Sequence, residues 1–575
     1  MADVNLTLAD GGSASVSVPA TSVQVVIGCS SLGAFATPVA TRSLTTLQTT
    51  YGYGPLVENA AIKCLSGGTV IAMRAAVGTA GSIRGSGGST LAITGTTGNA
   101  VSPIVVTTLA NTLATGQIVT ITGTTGNTAA NGNFAIVALT ATTFSLVGTT
   151  GNGAWVSGGT VAILGSSFVG TGTSVPLLTG APFDDTFVKL KVIVGGTIGV
   201  AGITFQYSID AGRNYGPVTA LPLSGAYTFP NQNVTVTFGA GTLVALDVLT
   251  FGTIAPAPNN AGITACLVAL QASPYAVSGW GSIDVVGAMA GADDTAIAAS
   301  LATLATGQIY THLIMHSRDS SPPIIYGGTA ETDAVHTTAV ALDYSAVGNA
   351  NTQRTGVSVG FYNMNSAYPI LGTAFRMRRP LSWSWAARQV AIATQTHAGR
   401  VSDGALAQVI VDPVNDPQDG FVYHDERNAP GMTALRFCAA KTRVRMPGYW
   451  IDQPNLMAQV GSQFTIWPLG VVMDVGCTIL TTKSTLLVNS DVRLNANGTI
   501  YDAEAAKMEA SILQAINDNM TAYGMLSQAG PGNSGAVVSV DRTNNVRTQK
   551  AVNITTTLYS RGYIFTINDT IGFAT

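Results

Sequence analysis

The chain has 575 residues, enough for several domains of roughly 100–200 residues each. Only 10% of the residues are charged and the formal net charge is −3, so the sequence lacks the basic stripe that nucleic-acid binding needs. The best candidate for a membrane span, residues 192–205, is shorter than the roughly 20 apolar residues required, and residues 1–3 begin no secretory signal.

The five cysteines are far apart and odd in number, which argues against a disulfide framework and against a zinc site. We expect buried thiols and no bound metal. They are Cys29, Cys64, Cys266, Cys438 and Cys477.

The first residues alternate between apolar and polar side chains, which is the period of a half-buried β-strand. The apolar positions, on either side of a turn at residues 10–13, are Val4, Leu6, Leu8, Val16 and Val18. Chain ends usually fray unless a sheet receives them. We therefore predict that residues 1–20 are an arm that adds a strand to another copy of the chain. The low charge fits a surface that is packed against such copies.

Residues 21–84 are predicted to be the first part of an α/β core, because residues 23–27 and 69–73 are apolar runs typical of buried strands. The density of charge then falls, since residues 85–265 contain only seven charged side chains. A composition shift of this size indicates a separate middle unit.

The middle unit is predicted to consist of two inserted all-β modules. In the first, residues 85–165, the motif Ile-Thr-Gly-Thr-Thr-Gly-Asn occurs twice and is echoed once, and its Gly-Asn pairs supply the positive φ angles of hairpin turns. The second, residues 166–270, is predicted to be sandwich-like. Its strands and the tip of its hairpin are expected near residues 187–194, 202–209, 233–238 and 247–251, and at residues 210–214.

Residues 271–547 are predicted to be the main part of the α/β core, because helix and strand patterns alternate there. Asp293 and Asp294 precede a helix with Ile297, Leu301 and Leu304 on one face, and residues 309–315 form an apolar strand. A helix at residues 333–344 and a strand at residues 356–362 follow.

The most regular helical pattern runs from Asp502 to about Tyr523. Its apolar face is predicted to be Ala505, Met508, Ile512, Ala515, Ile516 and Met520, and its charges are Asp502, Glu504, Lys507, Glu509 and Asp518. Residues 548–575 alternate again and are predicted to form a C-terminal arm. The apolar positions of this arm are Val552, Ile554, Leu558, Tyr563, Phe565 and Ile567.

The sequence therefore predicts an α/β (α+β) core formed by the N- and C-terminal parts of the chain. All-β modules with a sandwich- or barrel-like fold are inserted into this core, and strand-forming arms extend from both ends.

Catalytic motifs are weak in this sequence. Residues 532–535 are similar to the nucleophile loop of chymotrypsin-like proteases, and His397 and Asp412 precede Ser534, but the expected flanking residues are missing. His312 and His316 lie in a predicted strand rather than on a metal-binding helix. We expect no catalytic set and no cofactor. The arginines at residues 376–379 are expected in a solvated or ion-paired turn, or paired with carboxylates of a neighbouring copy.

Several stretches, taken in their order along the chain, resemble a contractile tail sheath protein of a myovirus-type bacteriophage. This family is shared with pyocins and related contractile injection systems. The stretches are residues 19–28, 42–44 with 51–52, 67–74, 378–380 with 383–388, His397 with 399–404, Arg443 with 448–451 and 455–457, and 497–500. The middle unit is not part of the match.

The resemblance implies a structural subunit and no enzyme. Hexameric rings of subunits would stack around an inner tail tube, and terminal arms would add strands to neighbouring copies. Contraction by rigid-body rotation would then drive the tube through the host envelope. The partners implied are the chain itself, the tube protein, and baseplate and tail terminator proteins, with no nucleic acid and no membrane insertion. The location implied is the virion, assembled in the host cytoplasm.

In the family, a helix late in the chain faces the tube, and the helix that begins at Asp502 is the match. Its charges Asp502, Glu504, Lys507, Glu509 and Asp518 are thus candidates for tube contacts. Two other interpretations stay open: a phage tail or surface adhesin or decoration protein with Ig-like β modules, and a secreted protease that depends on Ser534.

Overall fold

The computed structural model describes residues 22–84, 90–289, 291–317, 354–395, 405–406, 409, 426–427, 431–457, 465–488 and 491–562. Several predictions fall outside this part of the chain. They concern the N-terminal arm (Val4, Leu6, Leu8, Val16 and Val18), the helix at residues 333–344, His397, Asp412, and the arm residues Tyr563, Phe565 and Ile567.

A six-stranded sheet forms the centre of the core, in the order β2-β3-β1-β22-β23-β24. All neighbouring pairs are parallel except β2 with β3. The strands at residues 23–27 and 69–73 are confirmed. The six strands are β1 (Val23–Gly28), β2 (Val39–Thr41), β3 (Thr69–Arg74), β22 (Ser282–Met289), β23 (His312–Ser317) and β24 (Thr355–Ser358).

Helices cover both faces of this sheet. Val26 packs with α1, α2 and α6 on one face, whereas Val25 and Ile27 pack with α3 and α5 on the other. Strands that are buried on both faces are apolar throughout, which explains the continuous apolar runs in the sequence. The helices are α1 (Leu44–Tyr51), α2 (Pro55–Leu65), α3 (Asn260–Gln271), α4 (Tyr275–Ser278), α5 (Gly291–Thr306) and α6 (Leu381–Gln395).

Local sequence signals set several of these helix ends. Ser43 caps α1 by accepting a hydrogen bond from Thr46 N, and Asn259 caps α3 by accepting one from Gly262 N. In α5 the predicted face, Ile297, Leu301 and Leu304, is buried, which confirms that helix. However, the helix begins at Gly291, so Asp293 and Asp294 lie in its first turn and not before it. The helix dipole favours acidic residues in this turn.

The first inserted module is a small closed barrel. Strand β11 pairs with both β6 and β8, which closes the order β11-β6-β7-β10-β9-β8 around a core that includes Val106, Ile136 and Phe144. The strands are β6 (Leu91–Thr96), β7 (Ile104–Thr108), β8 (Gln117–Thr122), β9 (Gly132–Ala138), β10 (Thr143–Leu146) and β11 (Thr160–Val169). A 3₁₀ turn occupies Thr128–Ala130.

The repeated motifs meet at one end of the barrel. Asn127 Nδ2 donates to Thr97 O at 2.7 Å, and Asn152 N donates to Asn127 Oδ1 at 3.1 Å. Ala100 N donates to Gly151 O at 2.8 Å. The three repeats are therefore joined by hydrogen bonds, in which donors of one repeat pair with acceptors of another.

The second module is a sandwich whose two sheets share one core. One sheet has the order β16-β15-β13-β20-β11 and the other has the order β12-β18-β17. Its strands are β12 (Pro176–Gly180), β13 (Phe187–Val194), β14 (Gly196–Thr197), β15 (Thr204–Ser208), β16 (Thr219–Ala220), β17 (Ala226–Phe229), β18 (Val234–Phe238), β19 (Thr242–Leu243) and β20 (Val248–Ile254).

The barrel interrupts a single edge strand of the sandwich. Strand β5 (Ser82–Ile83) and the second half of β11 lie end to end along β20, with Ile83 opposite Thr253 and Ser166 opposite Phe251. Arg84 N donates to Gly252 O at 2.9 Å, so Arg84 occupies the register position just before Ser166. The chain leaves the edge after Arg84 and returns to it at Ser166, next to the predicted boundary at residue 165.

The middle unit ends earlier than the sequence predicts. The chain enters and leaves through the pair β4 (Val77–Thr79) and β21 (Ala257–Pro258), and α3 already belongs to the core. Ile263, Cys266, Leu267 and Leu270 of α3 pack against the central sheet. The predicted boundary at residue 270 is therefore wrong, because an apolar helix face at residues 260–271 was assigned to the β module.

The rest of the chain adds strand pairs and two long helices. The predicted strand at residues 356–362 is divided between β24 and β25, because Gly360 turns the chain with a φ of 89°. The elements are β25 (Phe361–Asn365), β26 (Arg376–Pro380), β27 (Ala440–Arg443), β28 (Met446–Ile451), α7 (Trp467–Leu487), α8 (Asp502–Ile516), β29 (Ala536–Val540), α9 (Val546–Gln549) and β30 (Ile554–Leu558), with short turns at Thr433–Leu435, Asn517–Thr521 and Pro531–Asn533. In the described part of the chain, no helix is long and apolar enough to cross a membrane.

Candidate assembly site

Helix α8 lies at the centre of the C-terminal region, and its predicted apolar face is confirmed. All six predicted positions are buried: Ala505, Met508, Ile512, Ala515, Ile516 and Met520. This face packs against α7, β29 and β30, so the C-terminal region has a hydrophobic core of its own. The helix is regular to Ile516 and continues as a wider π turn at Asn517–Thr521.

Strands β29 and β30 form an antiparallel pair within the chain. Ile554 and Leu558, which we predicted to be part of an arm that pairs with another copy, lie in β30 and pack against the C-terminal core. Val552 packs against the same region. The prediction that the arm begins at residue 548 is therefore wrong, because the apolar side chains of β30 pack against the C-terminal core of their own molecule.

Only one edge of β30 is used by β29. Tyr559 N donates to Gly535 O at 2.9 Å and Asp541 N donates to Asn553 O at 2.8 Å. In an antiparallel pair, every second residue of a strand forms backbone hydrogen bonds to its partner, and in β30 these are the odd-numbered residues. The backbone N–H and C=O groups of Ile554, Thr556 and Leu558 therefore point away from β29. Within the described residues, no other strand pairs with this edge of β30. The edge is a template for one further strand.

A groove of about 690 Å³, lined by both polar and apolar groups, lies beside the start of β30. Its walls come from the end of α7, from α8 and from the segment that leads into β30. They include Leu487, Val488, Val492, Met508, Val552 and Ile554. Val488, directly after the end of α7, is 64% exposed, and Leu486 in the last turn is 56% exposed.

The charges predicted on α8 are only partly available to a partner. Glu509 accepts two hydrogen bonds from Arg542, each at 2.8 Å, and a third from Val540 N at 2.8 Å. These bonds, with those from Arg542 first, lower the pKa of the Glu509 carboxyl below its ordinary value. Glu509 thus fastens β29 to α8 within the chain.

Of the other predicted charges, Asp502, Lys507 and Asp518 are exposed, whereas the side chain of Glu504 is only 18% exposed. Asp502 has a side chain that is 84% exposed, and Lys507 one that is 72% exposed. Glu504 lies 3.3 Å from Lys507, and Asp518 accepts a hydrogen bond from Gln514 at 2.6 Å. Asp502, Lys507 and Asp518 remain the predicted candidates for contacts with a tube.

The arginines at residues 376–379 are not in a solvated turn. They lie in β26, where Arg378 and Arg379 are buried. Arg379 donates two hydrogen bonds to Asp184, at 2.6 and 2.7 Å, which joins the core to the sandwich of the same chain. The expected ion pair is therefore confirmed for Arg379, but the residue lies in a strand rather than in a turn, and its partner is supplied by the inserted module of the same chain.

Two further contacts lie close to this junction, and the sequence does not predict their pairing. Arg84 pairs with Asp185 at 2.7 Å, and Arg376 N donates to Asp210 Oδ2 at 3.0 Å. Glu58 of α2 accepts hydrogen bonds from Ser366 and Ala367 nearby. Burial raises the pKa of Glu58, against the opposing effect of Arg379. The available signal was that Asp184 and Asp185 are adjacent acids in a module with few charges.

His312 and His316 are buried in β23, as the strand prediction requires. His312 pairs with Asp474 of α7, which also receives a hydrogen bond from Arg354, and His316 lies 3.0 Å from Ser358 Oγ. Among the described residues, no group of three potential ligands is arranged to hold a metal ion. The pair His312–Asp474 instead joins the central sheet to α7.

Ser534 is held by its own loop. Its hydroxyl donates to Ala536 O at 2.8 Å, and its side chain is largely buried. The cysteines are free thiols, of which Cys29, Cys266 and Cys438 are buried. Burial raises the pKa of Cys29 to about 12, so this thiol is poorly nucleophilic at neutral pH.

The chain matches no protein-family model and no curated protein, but it is similar to several solved structures. Sheath tail proteins from Listeria innocua and from Desulfitobacterium hafniense are each 10% identical, with a TM-score of 0.35. Each match covers 94% of this chain, and 94% and 97% of those chains respectively.

A chain in the cryo-EM structure of the anti-feeding prophage baseplate is 11% identical, with a TM-score of 0.37 over 56% of this chain and 76% of that one. Sheath tail proteins, the class that the sequence resemblance names, are thus among the solved structures to which the chain is similar. Since all three TM-scores lie below 0.5, the function proposed below depends on the strands, groove and charges of the chain itself.

Proposed function

We propose that this protein is a structural subunit of a contractile tail sheath, which polymerises around an inner tube by exchanging β-strands between copies. The observation that carries the proposal is the edge of β30 that no described strand uses, which lies beside a groove. The predicted arm at residues 1–20 and the stretch that contains Tyr563, Phe565 and Ile567 have the alternating pattern that such an edge accepts.

The proposed assembly is a mesh of copies in which the globular cores change their packing while the arms keep them joined. Rings of subunits would stack around the tube, and contraction would be a rigid-body rotation of each subunit. Exposed ion pairs contribute about 0–1 kcal/mol each, so contacts of Asp502, Lys507 and Asp518 with the tube would hold weakly and release readily. Baseplate and terminator proteins are the further partners proposed.

The test is electron microscopy of the purified full-length chain with one substitution at the open edge. We expect the unmodified protein to form tubes. Thr556→Pro removes an N–H that points away from β29, so it should block the added strand and abolish tubes while β29–β30 pairing persists. Thr556→Ala keeps the N–H and should still polymerise.

Two results would contradict this proposal. Tubes formed equally well by Thr556→Pro would show that the edge of β30 does not receive a strand. Discrete particles from the unmodified protein, under all conditions tested, would favour the adhesin or decoration protein with Ig-like modules instead.

A further inference from the structure

Helix α2 carries a lysine that is completely buried. Lys63 has no exposed surface, and neither have Asn59, one turn earlier on the same face of α2, and Asp284, at the middle of β22. Lys63 Nζ donates to Asn59 Oδ1 and lies 2.6 Å from Asp284 Oδ2. Asn59 Nδ2 also donates to Asp284 Oδ2, at 2.9 Å. The tube, arm and ion-pair contacts described above use none of these three side chains.

We propose that Lys63 and Asn59 become joined by an intramolecular amide bond, with Asp284 carrying the proton between them. The positions fit this chemistry. One carboxylate oxygen contacts both the attacking nitrogen and the nitrogen that would leave, and a proton can therefore pass from one to the other without a large movement.

The reaction is balanced by the three side chains alone. The lone pair of Lys63 Nζ attacks Asn59 Cγ, and Nζ gives a proton to Asp284. The bond between Cγ and Nδ2 breaks as Asp284 returns a proton to Nδ2, which leaves as ammonia. Asp284 ends in the state in which it began, and no oxidant, metal or other reactant takes part.

The surroundings favour the reactive form of the lysine. Burial lowers the pKa of Lys63, although the nearby Asp284 opposes this, so a larger fraction of the amine is neutral and nucleophilic than in water. Asp284 Oδ1 has no hydrogen-bond partner among the described residues and is available to hold the transferred proton. Fixed contact between the groups raises their effective concentration.

The spacing also fits the product. Side chains four residues apart on a helix are neighbours, with Cβ atoms about 5–6 Å apart, and the four-carbon stem of lysine spans that distance. The bond would tie the last turn of α2 to the turn before it, on the face that packs against the central sheet. It would make α2 resistant to local unfolding under mechanical load.

The experiment is mass spectrometry of the denatured full-length protein before and after trypsin digestion. An acylated Lys63 is not a trypsin site, so we expect one peptide spanning residues 43–74 that is lighter by one ammonia than its sequence. Lys507 is the matched control, because it is a helical lysine near a carboxylate, but its side chain is 72% exposed. Cleavage after Lys507 should be complete.

The proposal also predicts that Asp284→Asn, which keeps the shape but removes the proton carrier, restores the sequence mass and cleavage after Lys63. Separate peptides 43–63 and 64–74 of unmodified mass from the unsubstituted protein would overturn the proposal, whether or not the variant folds. A cross-link that persisted in Asp284→Asn would overturn the role given to Asp284.

Discussion

Single charged side chains join the middle unit to the core. Arg379 and Asp184 come from residues almost two hundred positions apart, and both are buried at the contact. A buried ion pair offsets the cost of its own desolvation only while both partners are present. Residues such as these are therefore expected to be sensitive to substitution.

Replacing one partner of the pair is expected to be more costly than replacing both. Arg379→Met should lower the free energy of unfolding by about 3–5 kcal/mol, because it leaves the Asp184 carboxylate buried without its cation. In Arg379→Met/Asp184→Asn much of that loss should be recovered. Urea unfolding of the two single variants and the double variant measures the coupling. Additive losses would show that the pair is not coupled.

The contact between Glu509 and Arg542 should give a pH-dependent contribution to stability. Because hydrogen bonds lower the pKa of Glu509 below its ordinary value of 4.5, its contribution is fully present above that pH and is lost as pH falls through the lowered pKa. Glu509→Gln should therefore lower the melting temperature at neutral pH and leave it unchanged well below pH 4. Asp502→Asn, at the exposed neighbour of Arg542, is the control and should have little effect at either pH. A neutral-pH melting temperature unchanged by Glu509→Gln would contradict the assignment.

At the scale of elements, α7 joins two hydrophobic cores. Its first turns, with Trp467 and Val471, pack in the core around the central sheet, and its later turns, with Val475 and Ile479, pack against α8 and β30. Gly470 lets this helix approach β23, since a Cβ there would clash with the ring of His312. The helix therefore fixes the C-terminal region to the core.

The substitution Gly470→Ala tests this close approach. In an ordinary helix interior such a change stabilises by about 0.5–1 kcal/mol, but here the clash should destabilise by about 1–3 kcal/mol. Gly476→Ala is the matched control on the same helix, because its Cβ would meet the flexible end of Leu558 at 2.8 Å and would otherwise make only an ordinary contact with Met520, at 3.8 Å. Thermal unfolding should rank Gly470→Ala as clearly less stable than Gly476→Ala. The reverse order would show that the contact with His312 adapts without strain.

Strand β30 should be needed for folding of the C-terminal region. A chain that ends after Arg547 loses this strand and uncovers apolar side chains of α7 and α8, so it should be cleaved rapidly by trace protease in that region. A chain that ends after Gly562 keeps β30 and should resist cleavage, but should not form tubes if the remaining residues are the exchanged arm. Equal protease resistance of the two truncations would contradict the role of β30 within its own molecule.

At the scale of the whole molecule, the barrel is joined to the rest of the chain less closely than the sandwich is. The barrel enters and leaves through adjacent positions of one edge strand and has a core of its own, although its Ile118 and Ala135 also pack in the core of the sandwich. The core of the sandwich also includes Ile370, Phe375 and Met377 of the later chain.

Two deletions distinguish these cases. Joining Arg84 directly to Ser166 should give one continuous strand along β20, so the shortened chain should fold and polymerise. Deleting residues 85–265 should give an aggregating chain, because it uncovers Phe375 and Met377, leaves Arg379 without Asp184, and removes half of α3. Soluble expression and electron microscopy of both deletions provide the measurement. A soluble, tube-forming product of the larger deletion would contradict the shared core.

The sequence by itself determined the parts that depend on local periodicity. The buried face of α8, the apolar strands β1 and β3, and the β character of the middle unit all follow from spacings of two or of about 3.6 residues, which any short stretch displays. The resemblance to contractile tail sheath proteins also came from motifs taken in their order along the chain. Which copy a strand would pair with could not be decided, because alternation fixes a strand but not its partner.

Only the tertiary structure decided the long-range partners. It paired Asp184 with Arg379, Asp284 with Lys63, and β30 with β29. Each contact joins elements that are separated in sequence, so no local pattern of residues indicates the pairing. A charge or a strand is paired by whatever the fold brings next to it. For this reason the apolar faces were predictable from the sequence, whereas the buried charges and the open edge of β30 were not.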